Sequence, residues 1–318
     1  MTYHFNSRTG KTAVCEAKIK ECPLIHGDSP EEAQKNYENS MIEYTLVKVK
    51  KNNRKTPKEL QQMSNEILLK TPLKHLDTVQ LSQTIRHEAV NSGMEVEQID
   101  SAIALASILH SHQKRGPREG LDSDKAPYIE HPLRNTLRLI RLGVKDQDIA
   151  IGALLHDTVE DGSVQFVEKF HNKKADEPEA RKVLSSHIKN AYGTRVSEIV
   201  QAVTNDYVPL KEVQRKSLEE RHKEYRDHVI SQISSDSGAY LVKISDFIDN
   251  ATGLYHTDIK GSEKATLKRA TKYHPMPDKF IEIMKTLPVP LSEENKEVLE
   301  GQMNRTKIRL KGIIEKYS

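Results

Sequence analysis

The stretch ALLHDTVEDG (residues 153–162) carries His156, Asp157, Glu160 and Asp161 directly after an apolar run. A buried helix normally excludes such groups, because a buried charge is costly unless it is paired or coordinates a metal. An imidazole nitrogen with carboxylate oxygens is a donor set suited to a divalent transition ion such as Mn, Fe or Zn. On a continuous helix His156 and Glu160 share one face, as do Asp157 and Asp161, each pair lying four residues apart. His156 and Asp157 would then face a cleft and hold an ion. Glu160 and Asp161, one turn onward, would handle a water at it. The bland alternative is a polar helix end in water, but acids there meet the unfavourable pole of the helix dipole.

Three other segments carry groups of the same kind. YIEHPL supplies His131 beside a proline, and LVKISDFIDN supplies Asp246 with Asn250 four residues on. HSHQKRG places Arg115 at the mouth of a loop containing Gly and Pro. Taken singly, His131 reads as a capping or surface histidine and Asp246 as a satisfied core acid. Taken in order, SILHSHQKRG, APYIEHP, ALLHDTVEDG and LVKISDFIDN resemble the HD-domain (p)ppGpp hydrolases, the hydrolase half of RelA/SpoT proteins and the stand-alone small alarmone hydrolases. The similarity runs over residues 98–256.

The resemblance implies an all-α chain: an HD-domain helical bundle with N-terminal and C-terminal helical extensions. It implies that His131, His156, Asp157 and Asp246 hold one divalent metal ion, Mn2+ being usual in that family. Glu160 and Asp161 would position and activate the attacking water, while Asn250 and Arg115 would contact the nucleotide. Through the segment VTNDYVPLK, Lys211 would lie near the phosphates. The implied reaction removes the 3′-pyrophosphate of (p)ppGpp, releasing GDP or GTP and pyrophosphate. Departures leave the substrate open. The loop GPREGLDSDKA is longer than usual, Gly116 replaces a basic residue, and ISDFIDN replaces LADRLHN. Gly253 stands where a small hydroxyl residue often contacts the nucleotide. Another nucleotide, NADPH or a pyrophosphorylated RNA end is therefore an alternative substrate. A non-catalytic nucleotide-binding module is a third reading, against which the intact Glu160–Asp161 pair counts.

Positioning these residues falls to helices. Apolar residues recur at helical spacing through 96–109, and a loop is expected over 114–130. Pro132 opens the next helix and Gly143 closes it, and KDQDIAIGALLHDTVEDG reads as one helix ended by Gly162. Further helices fit 57–95, 180–203, 210–234 and 239–255, with an amphipathic helix at the C-terminus. Ser29-Pro30-Glu31-Glu32 reads as a helix start, and basic residues 46–60 as a short strand or linker. The expected division is a Cys/His-containing segment at 1–45, a basic linker and helical extension at 46–95, the hydrolase domain at 96–256 and a C-terminal extension at 257–318.

The near balance of 49 basic and 46 acidic residues argues against an extended nucleic-acid surface, yet permits a local basic pocket for a phosphorylated small molecule. Aromatic residues at 5%, with no Trp, count against stacking platforms. No apolar run is long enough for a membrane helix, and residues 1–18 lack the apolar core of a signal peptide, so the expected location is the cytoplasm. His4, Cys15, Cys22 and His26 form a candidate zinc set of non-standard spacing. That N-terminal segment could also dock a protein partner.

Overall fold

The computed structural model describes residues 2–6, 11–14, 26–36, 56–115, 126–209, 211, 215–257 and 261–318. The chain divides into two compact units, Met1–Glu66 and Ile67–Ser318. In the first, strands β1 (Tyr3–Asn6), β2 (Lys11–Val14) and β3 (His26–Gly27) form a small antiparallel sheet in the order β2-β1-β3. This sheet lies in the Cys/His-containing segment at 1–45, where no strand is expected; the helical extension expected over 46–95 is present in the helices from Pro57 onward. Strands this short leave too little alternation to be seen in sequence. His4 pairs with His26 across β1 and β3, while Cys15 and Cys22 of the candidate zinc set lie outside the described residues. The helix start at Ser29 is present: residues 30–36 are helical, and Ser29 Oγ accepts from Glu32 N at 3.1 Å. Residues 46–55 lie outside the described residues, and 57–60 open the helix α1 (Pro57–Lys70).

The elements of the second unit are helices, with one isolated antiparallel bridge between Lys114 and Pro127 among its described residues. A 3-10 turn at Leu73–His75 leads into α2 (Thr78–Asn91). There the Asp77 side chain accepts from Gln80 N at 2.8 Å, and the Gln80 side chain accepts from Asp77 N at 3.1 Å. This reciprocal cap satisfies two amides that a helix start leaves free. Next come α3 (Val96–Leu109), α4 (Glu130–Arg141), α5 (Gln147–Leu155), the single turn α6 (Thr158–Asp161) and α7 (Ser163–His171). The helix expected over 180–203 is two, α8 (Glu177–Tyr192) and α9 (Thr194–Val203), parted at Gly193 by a φ of +94°. Glycine adopts that conformation without steric cost. After α10 (Leu218–Ile233) and α11 (Ser237–Ala251), a 3-10 turn at Thr252–Thr257 precedes α12 (Glu263–Tyr273), α13 (Met276–Thr286) and α14 (Glu293–Tyr317).

Two apolar clusters make the core. One joins α2, α3, α4, α5, α7, α8 and α9 through residues such as Ile85, Leu133, Phe166 and Ile188. The other joins α10, α11, α13 and α14 to Leu139, Ala153 and Ile199 through Val229, Phe247, Phe280 and Met303. Helix α4 runs between them and is buried from Glu130 to Ile140 although it carries His131, Arg134, Asn135 and Arg138. Such a helix is tolerable only if its polar groups are partnered inside the protein. Those partners lie largely on α11, which is also buried along most of its length.

Asp236 anchors the start of α11: one carboxylate oxygen accepts from Gly238 N and Ala239 N at 2.8 and 3.0 Å. Arg195 donates two further bonds to the same carboxylate at 2.6 and 2.7 Å. The Arg195 hydrogen bonds, aided by those amides, hold the Asp236 carboxyl below its ordinary value. A depressed folded-state pKa contributes stability that is present above the unfolded carboxylate value, about 4, and is lost as pH falls through the folded value. Asp236→Ala should therefore cost about 1–2 kcal/mol at pH 7. Thermal unfolding across pH should show the gap to the parent protein shrinking below about pH 4.

Candidate metal centre

The helix expected to run unbroken to Gly162 breaks at His156–Asp157. His156 Nδ1 takes the Ala153 carbonyl at 2.9 Å, and Thr158 Oγ1 donates to the Leu155 carbonyl at 2.6 Å. In a continuous helix those carbonyls would receive the amides of Asp157 and Val159. Side chains have displaced the backbone ladder, as short polar groups can. Asp161 N still bonds to Asp157 O at 2.9 Å, so α6 is a fresh single turn of four residues that ends on Glu160 and Asp161. A single turn sums few peptide dipoles, so the dipole objection to acids at a helix C-terminus weighs little here. The shared-face argument for His156 with Glu160 does not survive the break.

His131, His156 and Asp157 come together, each offering a ligand atom within 4.8 Å of the others. His131 Nε2 lies 3.5 Å from Asp157 Oδ2, and His156 Nε2 lies 3.0 Å from it. Asp246 Oδ1 adjoins from α11, at 3.1 Å from His131 Nε2 and 3.8 Å from His156 Nε2. Its carboxylate also receives Asn250 Nδ2 at 2.6 Å and Lys243 Nζ at 3.1 Å. Although His156 Nε2 is close to Asp157, the direction is wrong for a hydrogen bond, and this buried nitrogen has no hydrogen-bond partner among the described residues. Burial opposes charge on His156, yet Asp157 and Asp246 overcome it and push the imidazole up to about 10. The cluster calls for positive charge, which a proton or a divalent ion can supply.

The tautomers suit an ion. His156 Nδ1 is committed to a carbonyl, and His131 Nδ1 donates to Asp249 Oδ2 at 2.8 Å. Both Nε2 lone pairs are thereby left facing the carboxylates, the arrangement that orients metal-bound histidines elsewhere. His131, His156, Asp157 and Asp246 therefore fit a divalent ion.

Sequence reasoning missed Asp249. It is fully buried, and besides His131 it receives Arg134 Nε at 2.9 Å, Arg134 Nη2 at 3.0 Å, Arg138 Nη2 at 3.2 Å and Lys74 Nζ at 3.0 Å. Despite burial, Arg134 and Lys74 hold its carboxyl well below the ordinary value. The signal was present as the paired arginines of HPLRNTLRL, since apolar-looking helices seldom carry two guanidinium groups without an internal acid. Tyr128, quoted only as part of a motif, donates its hydroxyl to Asp157 Oδ2 at 2.8 Å. His110, also passed over, is buried beside Tyr128 with ring centroids 4.9 Å apart, and its Nδ1 meets Gln113 Oε1 at 2.8 Å.

Two cavities flank the cluster. One, of about 300 Å³, brings Arg115 and Asn250 together with Lys74, Tyr128, Arg134 and Asp249. Arg115 Nη2 donates to Asn250 Oδ1 at 2.8 Å. The other, of about 500 Å³, contains Glu160 with Arg181, Lys216, Arg221 and Tyr225. Glu160 Oε2 is pinned by Asn205 N and Nδ2 at 3.2 and 2.8 Å. Desolvation, with Asp157 and Glu160 nearby, pushes Asp161 up to about 7. Lys211 is exposed; the cationic side chains lining the Glu160 cavity are Arg181, Lys216 and Arg221.

Fold and site together define a helical domain with a buried imidazole–carboxylate centre. No family model matches the chain. Over 164 residues it is 30% identical to the human guanosine-3′,5′-bis(diphosphate) 3′-pyrophosphohydrolase MESH1, covering 51% of this chain and 72% of that protein. It is 29% identical over 157 residues to the Xenopus tropicalis protein of the same name, covering 49% of this chain and 71% of that one. A longer Aquifex aeolicus guanosine-3′,5′-bis(diphosphate) 3′-pyrophosphohydrolase is 30% identical over 180 residues, 57% of this chain but only 21% of that protein. A solved structure described as "A metazoan ortholog of SpoT hydrolyzes ppGpp and plays a role in starvation responses" aligns loosely. It has a TM-score of 0.46 and 19% identity, over 68% of this chain and 96% of that one. The chain belongs to the guanosine-3′,5′-bis(diphosphate) 3′-pyrophosphohydrolase family represented by MESH1.

Removing one partner of a buried ionic network leaves the others uncompensated, typically at a cost of about 3–5 kcal/mol. Asp249→Ala strands Arg134, Arg138 and Lys74 in this way. Urea unfolding of this variant should show a loss of that size, whereas Asp148→Ala on the surface should move the midpoint little.

Proposed function

We propose that this chain is a metal-dependent hydrolase that removes the 3′-pyrophosphate of (p)ppGpp-type nucleotides in the cytoplasm, releasing GDP or GTP and pyrophosphate. The observation that carries the reading is the convergence of two imidazole Nε2 atoms and Asp157 on one buried point, with both Nδ1 atoms already committed. The catalytic unit is assigned to residues 96–256. His131, His156, Asp157 and Asp246 hold the ion, with Mn2+ the proposed metal. When bound, such an ion supplies Lewis-acid polarisation of a phosphate oxygen and a lowered pKa for the attacking water.

The chain's own groups do the rest. Glu160, fixed by Asn205 through one oxygen, keeps the other for the water, and Asp161 beside it takes up the proton as the water oxygen bonds to phosphorus. The bond from that phosphorus to the ribose 3′-oxygen breaks, and the 3′-oxygen leaves with the electron pair and is protonated. Tyr128 holds Asp157 in place, and Asp249 fixes the His131 tautomer. Arg115 and Asn250 receive the nucleoside side, while the cations of the Glu160 cavity, joined by Lys211, balance phosphate charge.

Purified protein given Mn2+ and ppGpp should release pyrophosphate and GDP, and chelation with EDTA should stop it. His156→Ala and Asp157→Ala should lose both the metal, measured by elemental mass spectrometry, and the activity. Release of no pyrophosphate from ppGpp, while other nucleotides are cleaved, would overturn the substrate assignment. Glu160→Gln and Asp161→Asn should retain the metal yet lower kcat by about 10²–10⁴-fold, the usual range for a lost general base. Equal metal loss in these two variants would instead place Glu160 and Asp161 among the ligands.

A further inference from the structure

His110 closes helix α3, and the turn that follows it touches several parts of the site. The side chain is 2% exposed, with its ring centre 4.9 Å from that of Tyr128. His110 Nδ1 meets Gln113 Oε1 at 2.8 Å, and Gln113 Nε2 donates to the Asp161 carbonyl, 48 residues along the chain, at 3.0 Å. The Gln113 carbonyl in turn accepts from Tyr128 N at 3.1 Å, and Arg115 N donates to the Ala126 carbonyl at 2.9 Å. Gly162 permits this close approach of α3 to the end of α6, since a Cβ there would lie 2.9 Å from Leu109 Cβ.

The proton positions follow from this chain of bonds. Gln113 spends an N–H on the Asp161 carbonyl, so its Oε1 accepts and His110 donates from Nδ1. His110 Nε2 is then a bare lone pair, and it has no hydrogen-bond partner among the described residues. Burial first, with His156 and His131 adding to it, holds the imidazole below its ordinary value against Gln113 and Asp157. The ring therefore stays neutral at pH 7 and keeps this single donor.

An ordinary core histidine would be satisfied by one neighbour and serve no site. Two observations set His110 apart. An apolar ring would fill the same space without burying a bare nitrogen, which is costly. Both of its contacts also lead to groups at the centre. Tyr128, against which the ring packs, donates its hydroxyl to Asp157 Oδ2 at 2.8 Å. Gln113 holds the last residue of α6 by its carbonyl, and that residue is Asp161. Because Gln113 is only half-buried, water competes for its amide, and the His110 donor fixes which way that amide faces.

We propose that His110 is a positioning residue of the hydrolysis: through Gln113 it holds Asp161, and through the Tyr128 ring it backs the hydroxyl on Asp157, so that the two acids keep one fixed separation; this rests on the reading that Asp161 takes up the proton of the attacking water. The imidazole touches neither the substrate nor the reacting atoms. It exchanges no proton, and the bonds made and broken are those already described.

The test measures kcat, KM and bound metal with Mn2+ and ppGpp, using the full chain and three single variants. Phenylalanine at 110 keeps a ring against Tyr128 and removes the donor, whereas asparagine keeps a donor near Nδ1 and removes the ring. His110→Phe should lower kcat about ten-fold or more, the scale of a displaced reacting group, at unchanged KM and metal content. Gln113→Met, at a half-buried position that tolerates the change, should do the same. The His110→Phe/Gln113→Met double variant should lose no more than either single one, because both cut one chain of bonds. His110→Asn should recover most of the loss. An unchanged kcat, losses that multiply in the double variant, no recovery with asparagine, or a loss shared with KM and metal content each overturns the assignment. Hydrogen exchange read by mass spectrometry adds a measurement independent of turnover. Amides of residues 158–163 should exchange faster in His110→Phe, while those of α12 keep their rate. If the parent protein does not cleave ppGpp, the functional reading fails, and exchange alone decides. Faster exchange confined to 158–163 then sustains the tie; equal exchange, or faster exchange throughout, overturns it.

Discussion

The Asp249 carboxylate, buried and surrounded by cations, is the interaction on which the arrangement of the centre depends. His131, Arg134 and Arg138 stand three and four residues apart on α4, so one stripe of that helix points an imidazole and two guanidinium groups at a single acid on α11. A slide of one residue between α4 and α11 would strand all of them. Buried ion pairs are weak evidence of stability, because desolvation offsets most of the attraction. Their effect here is to fix register: with Asp249 neutralised from α4, Asp246 is held one turn earlier on α11, beside His131 Nε2. The same carboxylate sets the His131 tautomer, so the distance between helices and the orientation of a ligand atom are one constraint.

The break at His156–Asp157 is the complementary device. A continuous helix would send His156 and Asp157 off at about 100° to each other and could bring their donor atoms to one point only by bending. Giving the Ala153 and Leu155 carbonyls to His156 Nδ1 and Thr158 Oγ1 turns the chain instead, and each lost backbone bond is replaced by a side-chain bond of similar length. The cost is small because the freed carbonyls stay satisfied. The gain is that Glu160 and Asp161 fall on a separate short turn, away from the negative pole that ends α5.

These two devices also explain what the sequence made legible. The donors themselves were readable, because His131, His156, Asp157 and Asp246 are residue types that a buried helix seldom tolerates without a task. The all-helical character of the second unit was readable from periodicity. Asp249 was not, since its partners lie on α4 and before α2, more than a hundred residues away, and an acid three residues after Asp246 looks like one more polar position. The helix break was invisible for a related reason: HDTVEDG has good helical spacing, and only the side-chain bonds to two carbonyls decide against continuity. The N-terminal sheet escaped because β1 and β2 span four residues each and β3 two.

The charges divide in a way that bears on what the site can accept. Asp157, Asp246, Glu160 and Asp161 gather at the centre; burial with that negative charge raises Asp161, and Asp157 and Asp246 raise His156 against its burial. A polyphosphate approaching such a centre would be repelled unless positive charge were placed within it and around it. The residues at the centre can host a cation, while Arg115, Lys216 and Lys272 stand at its margins in the flanking cavities. Among the described residues, the ion pairs that join the acids of α11 to cations are those of Asp249 and of Lys243 with Asp246, while Lys216 and Arg181 pair with Glu224 and Glu177 at the cavity wall, so the acids at the centre keep most of their charge. Near neutrality over the whole chain therefore conceals a strongly patterned field. A compact, multiply charged anion is the ligand class that such a field favours.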